Sequence, residues 1–268
     1  MRFIYPARYE NLQLPDEMYN EEVGYILNRN LNASIVTFSF EQFKEGRFKK
    51  YGVIEKQPAI YRGWMMTPEE YKRFYADIQS CGSNLLTTPE AYRFCHYLPC
   101  WYYEIKQFTA PSFPIHNVDL EFLEGEDIDD SIKHLNWNTT RYFVKDFVKS
   151  LSSEHSSEAH NGNEVLEIGR LLKKYRGHID GGLVVRQFEE YKPGTEVRYF
   201  VRNEKVYSPN GTVPEMVKEV AKRLSLFSPF FSVDVAERKD GELRVIEIGD
   251  GQVSDLKTWK VSDFVGIF

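Results

Sequence analysis

The fold is decided by residues 230–251, FFSVDVAERKDGELRVIEIGDG. Two runs of β-branched and aromatic residues flank Lys239-Asp240-Gly241, a pattern typical of a β-hairpin. Each predicted strand holds one carboxylate between apolar neighbours, Asp234 in SVDVA and Glu247 in VIEIG. A buried carboxylate is costly unless it is paired or bound to a cation. The hairpin therefore predicts a Mg²⁺ pair from Asp234 and Glu247, with Asp250 as a third oxygen ligand.

Basic side chains precede this hairpin in the chain. Lys145 lies in a predicted strand that ends shortly before a polar segment, residues 150–163, rich in Ser, Asn and Gly. Glu196 and Arg198 lie on a later strand, after the turn that Pro193-Gly194 indicates. A lysine and an arginine near the carboxylates would neutralise phosphate oxygens, and backbone N–H groups of the polar segment would close over them. Together these parts predict a nucleoside triphosphate site with a metal ion.

Structural roles for the same residues stay open at this point. Glu196 and Arg198 point the same way on one strand, so they can pair with each other at a surface. Lys145 can be a solvated strand lysine. The two hairpin carboxylates can be neutralised by Arg238 or Arg244 instead of a metal ion.

The N-terminal part of the chain alternates strand and helix signals. The run ASIVTFSF at 33–40 predicts a strand, and Thr67-Pro68-Glu69-Glu70 predicts a helix start with a capping box. This alternation indicates an open α/β sheet, in which ligands bind at the carboxyl ends of strands. Arg62 lies at such an end, so it is a candidate for holding an anionic group of a substrate. The alternative is an arginine that packs on Trp64 and binds a carboxylate.

Length and local composition favour two domains. The chain has 268 residues, which at about 150 residues per domain gives roughly two. The proline-containing segment 108–117 is predicted to be a crossover between the domains, and residues 83–87 are predicted to form a strand.

Overall composition excludes several classes of protein. Hydrophobic residues make up 42% of the chain, which argues against a disordered protein. A net charge of −6 disfavours a protein that coats nucleic acid or an anionic membrane. The three cysteines are an odd number, and the apolar runs are far shorter than the roughly 20 residues of a membrane span. We therefore expect a cytoplasmic protein without a disulfide framework.

The order of the motifs resembles that of the ATP-grasp superfamily. The similar stretches are FVKD around Lys145, VVRQFEEYKPGTEVRYFV at 184–201, and the hairpin 230–251. More narrowly, YRGWMMTPEEY, LLTTPEAY and VIEIGDG resemble a compact clade of ATP-grasp domain proteins from bacteria and their phages. The resemblance implies an α/β fold with an N-terminal open α/β pre-ATP-grasp domain at 1–105. A two-subdomain ATP-grasp domain is expected to follow at 106–268.

The resemblance also implies roles at the nucleotide for single residues. Lys145 would contact the α- and β-phosphates of ATP. Arg198 would reach the γ-phosphate or the reacting acyl group, so that Lys145 and Arg198 are the expected catalytic residues. The backbone of Gln187-Phe188-Glu189 would face the adenine, and Glu196 would bind the ribose hydroxyls.

Two positions depart from the usual family pattern. Asp234 and Glu247 would hold Mg²⁺, and members usually carry an asparagine two residues after the glutamate. This chain has Gly249 there, and Asp250 is expected to substitute. Arg186 stands where many members carry an acid that contacts the adenine, so it is expected beside the base.

The implied activity is the ATP- and Mg²⁺-dependent ligation of a carboxylate to an amine through an acylphosphate, with small molecules or peptides as substrates. One alternative is a nucleotide-binding module without ligase activity. Another is a nucleotidyl transferase or nucleic-acid ligase that uses Lys145 covalently. The sequence Lys145-Asp146-Phe147-Val148 does not match the K-x-D-G pattern of such enzymes. Neither a membrane nor nucleic acid is expected as a partner, and the sequence leaves the oligomeric state open.

Overall fold

The computed structural model describes residues 1–29, 34–54, 57–116, 119–137, 139–151 and 155–268, and the chain divides into two compact units. Unit 1 comprises Met1–Cys95, Val197–Val233 and Gly249–Phe268. Unit 2 comprises His96–Glu196 and Asp234–Ile248. The chain therefore passes from one unit to the other at four points in the sequence.

The N-terminal sheet of unit 1 is built around its first strand. This strand is buried along most of its length because parallel partners lie on both sides of it. The strands are β1 (Arg2–Arg8), β2 (Asn11–Pro15), β3 (Ser34–Phe38), β4 (Lys50–Tyr51) and β5 (Ala59–Tyr61). Their order is β2-β1-β3-β4, with β5 also paired to β1; β2 and β4 are antiparallel to their neighbours. The predicted open sheet is confirmed.

Three helices of unit 1 begin at a capping side chain, Ser39, Thr67 or Thr88. The side chains of Thr67 and Glu70 each accept a hydrogen bond from the other's backbone N–H, so the predicted capping box is present. Thr88 likewise accepts from the N–H of Ala91 at 3.2 Å. The helices are α1 (Asn20–Asn28), α2 (Phe40–Lys44), α3 (Pro68–Ser80) and α4 (Pro89–His96), followed much later by α8 (Glu215–Leu224) and α9 (Val261–Val265).

The core of unit 1 joins residues that are distant in the sequence. Phe3 and Tyr5 of β1 belong to the same buried cluster as Phe200, Phe230 and Trp259. Unit 1 therefore includes C-terminal segments, and the predicted domain boundary at 105/106 stays a prediction. C-terminal segments complete the core of the N-terminal sheet because they supply large aromatic side chains to it.

Unit 2 contains an antiparallel sheet of order β6-β9-β7-β8. Its strands are β6 (Ser112–His116), β7 (Tyr142–Asp146), β8 (Glu158–Ala159) and β9 (Gly182–Gln187). The prolines of segment 108–117 predicted a crossover, yet Ser112–His116 of that segment form β6. Pro114 is compatible with a strand because β6 lies at the edge of the sheet, where a missing N–H costs little.

Helices α5 (Leu98–Ile105), α6 (Gly125–Lys133) and α7 (Gly162–Arg176) complete unit 2. The starts of α6 and α7 touch through glycines: a Cβ on Gly162 would lie 1.9 Å from the carbonyl oxygen of Gly125. Helix α7 ends at Gly177, whose φ of 81° is the left-handed conformation of a glycine cap. In the part of the chain that the structure describes, no helix is long and apolar enough to cross a membrane.

The two predicted C-terminal hairpins form a sheet of order β11-β10-β12-β13. Its strands are β10 (Val197–Arg202), β11 (Lys205–Tyr207), β12 (Phe230–Glu237) and β13 (Leu243–Asp250). The turn between β10 and β11 is tight, with positive φ at both Asn203 and Glu204. The predicted hairpin at 230–251 is thus confirmed.

Two predicted segments differ from the structure. Residues 83–87 form no strand, because their pairing is limited to a single bridge between Leu85 and Ala59. Within the polar segment 150–163, Ser152–Glu154 lie outside the described residues. The following residues include β8, and Ser157 and Ala159 are buried. Glu158 and Ala159 therefore pair with β7, so the segment is not a loop along its whole length.

Candidate functional site

Unit 2 contains a cavity of about 640 Å³ beside the C-terminal end of β9. Its wall is formed mainly by the chain that follows β9, together with apolar residues from neighbouring segments. The lining residues are Arg186–Gly194, Glu196, Ala110, Phe143, Ala236, Lys239 and Ile246. Phe143 and Arg186 are partners in the β7–β9 register, so their side chains share one face of the sheet. A cavity of this size with apolar walls and a few polar groups is typical of a small-molecule site.

Lys145 of β7 and Glu247 of β13 form an ion pair near this cavity. Lys145 Nζ is 3.1 Å from Glu247 Oε1, and their side chains are 7% and 37% exposed. Lys145 lies two residues beyond Phe143 on the same face of β7, and the charge of Glu247 acts on Arg186 of the cavity wall. The predicted lysine and one predicted metal ligand are thus in contact beside the cavity.

The Arg186 side chain lies in the cavity wall and is almost fully buried. Its Nη1 donates to the carbonyl oxygen of Ile246 at 3.0 Å and its Nη2 donates to Thr109 Oγ1 at 2.8 Å. Its Nε is buried and has no hydrogen-bond partner among the described residues. Burial lowers the pKa of Arg186, and the nearby Tyr191 and Glu189 oppose this effect.

Glu189 has a structural role that the sequence did not indicate. Its carboxylate accepts from Arg244 Nε at 3.1 Å and from the Tyr191 hydroxyl at 2.6 Å. Burial and this hydrogen bond raise the pKa of Tyr191. Arg244 also donates to the carbonyl oxygens of Gln107 and Thr109. These bonds fix the chain after β9 and occupy the Glu189 carboxylate.

The other predicted nucleotide residues of unit 2 also lie at the cavity. Gln187, Phe188 and Glu196 all line it. The N–H of Gln187 donates to Pro111, and the N–H of Phe188 donates to the carbonyl oxygen of Arg141 at 3.0 Å. The Arg141 guanidinium lies 4.1 Å from the centre of the Phe188 ring. A cation over this ring holds it in one orientation.

The three predicted metal ligands, Asp234, Glu247 and Asp250, lie on the neighbouring strands β12 and β13. Asp234 is buried in β12, two residues before Ala236 of the cavity wall. Asp250 belongs to unit 1, where its Oδ1 accepts from the backbone N–H of Gln252 at 3.0 Å. Burial raises the pKa of Asp250 to about 7, although the hydrogen bonds from Gln252 lower it. Among the described residues no group of three His, Cys, Asp or Glu side chains is placed to hold a metal ion.

The proposed counterions of the hairpin carboxylates have other partners. Arg238 forms ion pairs with Glu189, Asp240 and Glu242, and Arg244 with Glu189 and Glu242. Within the described ranges neither arginine is paired with Asp234 or Glu247. This outcome disfavours the alternative in which a neighbouring arginine neutralises the two carboxylates.

The remaining predicted arginines lie in unit 1. Arg198 is buried, and its Nη1 donates to the backbone carbonyl and the carboxylate of Asp255 at 3.0 and 2.7 Å. Arg62 is also buried, and its Nε lies 3.0 Å from Glu22 while its guanidinium stacks on Phe264.

The hydrogen bonds of Arg62 go to groups inside unit 1. Beyond Glu22, its Nη1 donates to the carbonyl oxygens of Gln252 and Ser254. These internal bonds tie α1 to the chain after β13. They match the alternative in which this arginine binds a carboxylate inside the protein.

His96 was not recognised in the sequence as a residue of this region. It lies in unit 2, close enough to Lys149, Glu247 and Lys145 for their charges to affect it. Burial, with a smaller effect of the two lysines, lowers its pKa to about 3, so the imidazole is neutral. No local pattern could have found it, because the residues around it come from distant strands.

Comparisons with known proteins decide the family. The family model for the ATP-grasp domain, R2K clade family 3, matches residues 104–266, well over half of the chain. The chain belongs to this ATP-grasp family. The fold class predicted from the sequence is thereby confirmed. No curated protein matches the sequence.

Solved structures show the same fold at low sequence identity. The D-alanine-D-alanine ligase from Coxiella burnetii has a TM-score of 0.64 at 12% identity, covering 99% of this chain and 93% of that one. D-cycloserine synthetase DcsG has a TM-score of 0.63 at 13% identity, with coverages of 99% and 98%. The macrocyclase MdnC from Microcystis aeruginosa MRC, bound with precursor peptide MdnA, has a TM-score of 0.57 at 10% identity, with coverages of 99% and 98%.

Proposed function

We propose that this ATP-grasp protein is an ATP- and Mg²⁺-dependent ligase that joins a carboxylate to an amine. The observation that carries the proposal is the position of the unit 2 cavity. Phe143 of its wall shares one face of β7 with Lys145, and the ion-pair partner of Lys145, Glu247, acts electrostatically on Arg186 of the same wall. An apolar chamber beside a buried lysine suits a nucleotide, whose base is apolar on both faces and whose phosphates are anionic.

The side chains in unit 2 fit the two groups that the family implies. Lys145 would donate to the phosphates of ATP, while Gln187-Phe188-Glu189 and Glu196 would contact the adenosine. Asp234 and Glu247 would hold Mg²⁺, since carboxylate oxygens are the ligands that this ion prefers. The ion would supply neutralisation of phosphate charge during the transfer. Arg198 is kept as the proposed group near the transferred phosphoryl, although its present partner is Asp255.

The proposed reaction has two steps. A substrate carboxylate oxygen attacks the γ-phosphorus of ATP, the bond to the β-phosphate oxygen breaks, and an acylphosphate and ADP form. An amine then attacks the acyl carbon and loses a proton, inorganic phosphate leaves, and an amide is produced. Positioned cations accelerate both steps because they stabilise charge that develops on oxygen.

The substrate class is proposed from the fold neighbours together with the reaction. The compared structures include a D-alanine-D-alanine ligase and a macrocyclase bound with a precursor peptide. We therefore propose small-molecule or peptide carboxylates and amines as the substrates of this chain.

An ADP-release screen tests the proposal. Purified protein with Mg²⁺-ATP is incubated with amino acids and short peptides, and ADP is measured with and without hydroxylamine, which traps an acylphosphate as a hydroxamate. We expect substrate-dependent ADP and hydroxamate with the native protein, and neither with Asp234→Asn. Asp240→Asn, in the exposed turn of the same hairpin, is the matched control and should retain activity.

Two results would replace this proposal with another. ATP binding without ADP release across the whole screen would favour a nucleotide-binding module without chemistry. Acid-stable transfer of labelled AMP to the protein, lost in a Lys145 variant, would favour a nucleotidyl transferase.

A further inference from the structure

The chain turns back on itself directly after Lys145. The N–H of Asp146 donates to the carbonyl oxygen of Lys149 at 2.9 Å. The Asp146 carboxylate accepts from the N–H groups of Val148 and Lys149 at 2.7 and 2.6 Å, which is the pattern of an Asx turn. Because the backbone of Lys149 is bonded to that of Asp146, the turn places Lys149 next to Lys145.

Buried contacts hold this turn in place. Asp146 is fully buried, and Phe147 and Val148 are buried with it. The carboxylate oxygen of Asp146 that does not serve the turn accepts a hydrogen bond from Arg176 of α7. The turn is therefore anchored to the helix that packs against β7, and its conformation is fixed before any ligand binds.

Lys149 is the exposed residue of the turn, and in the part of the chain that the structure describes its side chain forms no ion pair. Its charge nevertheless acts on the buried His96, as do the charges of Lys145 and Glu247. The four side chains thus form one cluster, with two lysines and a single carboxylate. Like charges that are held close together repel, so the cluster favours binding of more negative charge than Glu247 supplies.

The direction of β7 indicates which part of a nucleotide would meet Lys149. Phe143 lines the cavity, Lys145 lies two residues farther along the strand, and the turn follows Lys145. Lys149 is bonded at the level of Asp146, so it lies beyond Lys145 on the side away from the cavity. With the base in the cavity and the first phosphates at Lys145, the terminal phosphates come nearest to Lys149.

We propose that Lys149 is a second phosphate-binding lysine, which binds the terminal phosphates of the nucleotide, and that Asp146 is the positioning residue that places it there. This inference rests on the proposed function, because it adds a ligand to the triphosphate that Lys145 is proposed to bind. Two lysines can each donate to a different phosphoryl group of ATP. AMP has one phosphoryl group and does not extend beyond Lys145, so Lys149 should favour ATP over AMP.

The first experiment measures the affinities of the native protein and of Lys149→Met for ATP and AMP, by calorimetry with Mg²⁺ present. We expect Lys149→Met to bind ATP about tenfold more weakly, as the loss of one charged hydrogen bond produces, with the affinity for AMP nearly unchanged. Lys149→Arg keeps the charge and should stay close to the native affinity. Lys173→Met, at an exposed position of α7, is the control and should change neither affinity. Native affinity for ATP in Lys149→Met, or equal losses for ATP and AMP, would overturn the inference.

The second experiment tests the role of Asp146. Asp146→Asn and Asp146→Ala both remove the ion pair with Arg176, but only asparagine keeps an oxygen that can accept from the N–H groups of the turn. We expect Asp146→Ala to bind ATP about tenfold more weakly than the native protein, and Asp146→Asn to stay close to it. Adding Lys149→Met to Asp146→Ala should cause no further loss, because both changes act through the same lysine.

Equal ATP affinities in the two Asp146 variants would show that the turn does not position Lys149. Circular dichroism checks that each variant is folded. If Asp146→Ala does not fold, the measurement on Lys149→Met decides, because that substitution is at an exposed position.

The outcomes separate this inference from the proposed function. If the native protein releases ADP in the substrate screen and Lys149→Met binds ATP normally, the ligase proposal stands and the role of Lys149 is wrong. If ATP affinity depends on Lys149 but no ADP is released, the inference stands and the ligase proposal fails. If the native protein binds no nucleotide, both fail.

Discussion

Lys145 and Arg186 are buried cations on paired strands of unit 2, and their polar partners differ in charge. Lys145 has Glu247 at 3.1 Å, whereas Arg186 donates to a carbonyl and a hydroxyl. The ion pair also means that a nucleotide must compete with Glu247 for Lys145. A divalent cation on Glu247 would release the lysine toward the phosphates, so we expect ATP affinity to depend on Mg²⁺.

Replacing Lys145 tests the phosphate end of the site. Lys145→Ala should weaken ATP binding by roughly tenfold or more, since a hydrogen bond to a charged group contributes about 1.5–3 kcal/mol. Calorimetry at fixed ionic strength measures the change. Lys173→Ala, an exposed lysine of α7, controls for the loss of one positive charge. Unchanged affinity in Lys145→Ala would remove this residue from the site.

Asp250 makes stability depend on pH. Its folded-state pKa is about 7, above the usual value near 3.8, because burial disfavours the carboxylate. The folded state therefore holds a proton that the unfolded state loses. The stability from this proton is complete below about pH 4 and is lost as the pH rises toward 7.

Asp250→Asn should remove this dependence, since the amide oxygen can still accept from Gln252. Thermal unfolding at pH 5 and pH 8 should show a smaller difference for the variant than for the native protein, with the gain in melting temperature at pH 8. Asp263→Asn, on an exposed turn of α9, serves as the control. Loss of Mg²⁺-dependent turnover with no change in this pH profile would instead support the prediction that Asp250 is a metal ligand.

At the scale of elements, the sequence predicted the features that depend on residues close together in the chain. The caps at Thr67 and Thr88 and the hairpin at 230–251 were correct because each depends on residues close in the sequence. Strand β6 was missed because Pro111 and Pro114 suggest a loop, and the place of the strand at the sheet edge permits Pro114 within it. Within the site, Lys145 and Glu247 were predicted to lie together. The hydrogen-bond partners of Glu189 and Arg62 come from distant segments of the chain, so no local sequence pattern predicts them.

Two helical glycines give a matched pair of substitutions. Gly162→Ala should destabilise the protein, because its Cβ would lie 1.9 Å from the Gly125 carbonyl oxygen and force the starts of α6 and α7 apart. Gly24→Ala in α1 should stabilise it by about 0.5–1 kcal/mol, since nothing lies within 4 Å and alanine favours a helix. Urea denaturation measures both changes. A neutral Gly162→Ala would mean that the two helix starts are not packed as described.

At the scale of the whole molecule, each compact unit is assembled from separate segments of the sequence. The chain passes between the units four times, so neither unit is a continuous stretch. The resemblance to the ATP-grasp family covers 106–268, but Phe200, Phe230 and Trp259 from that stretch share a core with Phe3 and Tyr5. The family resemblance points to residues of the proposed function, but it does not show which distant residues complete the core of unit 1.

Truncation tests this arrangement. A fragment of residues 106–268 should lack a cooperative unfolding transition and should bind a hydrophobic dye, because Phe200, Phe230 and Trp259 lose their partners on β1. The intact chain provides the control for both measurements. A fragment that unfolds cooperatively without dye binding would show that 106–268 is an independent domain, as the sequence predicted.

The proline of β6 has a consequence for the protein in a crowded solution. Gln187 donates its N–H to the carbonyl of Pro111, so in the antiparallel register the N–H groups of Phe113 and Ile115 face β9, and the nitrogen of Pro114 faces outward. The outer edge of the sheet thus lacks a donor at its centre. An unfolded strand from another molecule would find no continuous ladder to join there, and this edge is a poor seed for aggregation.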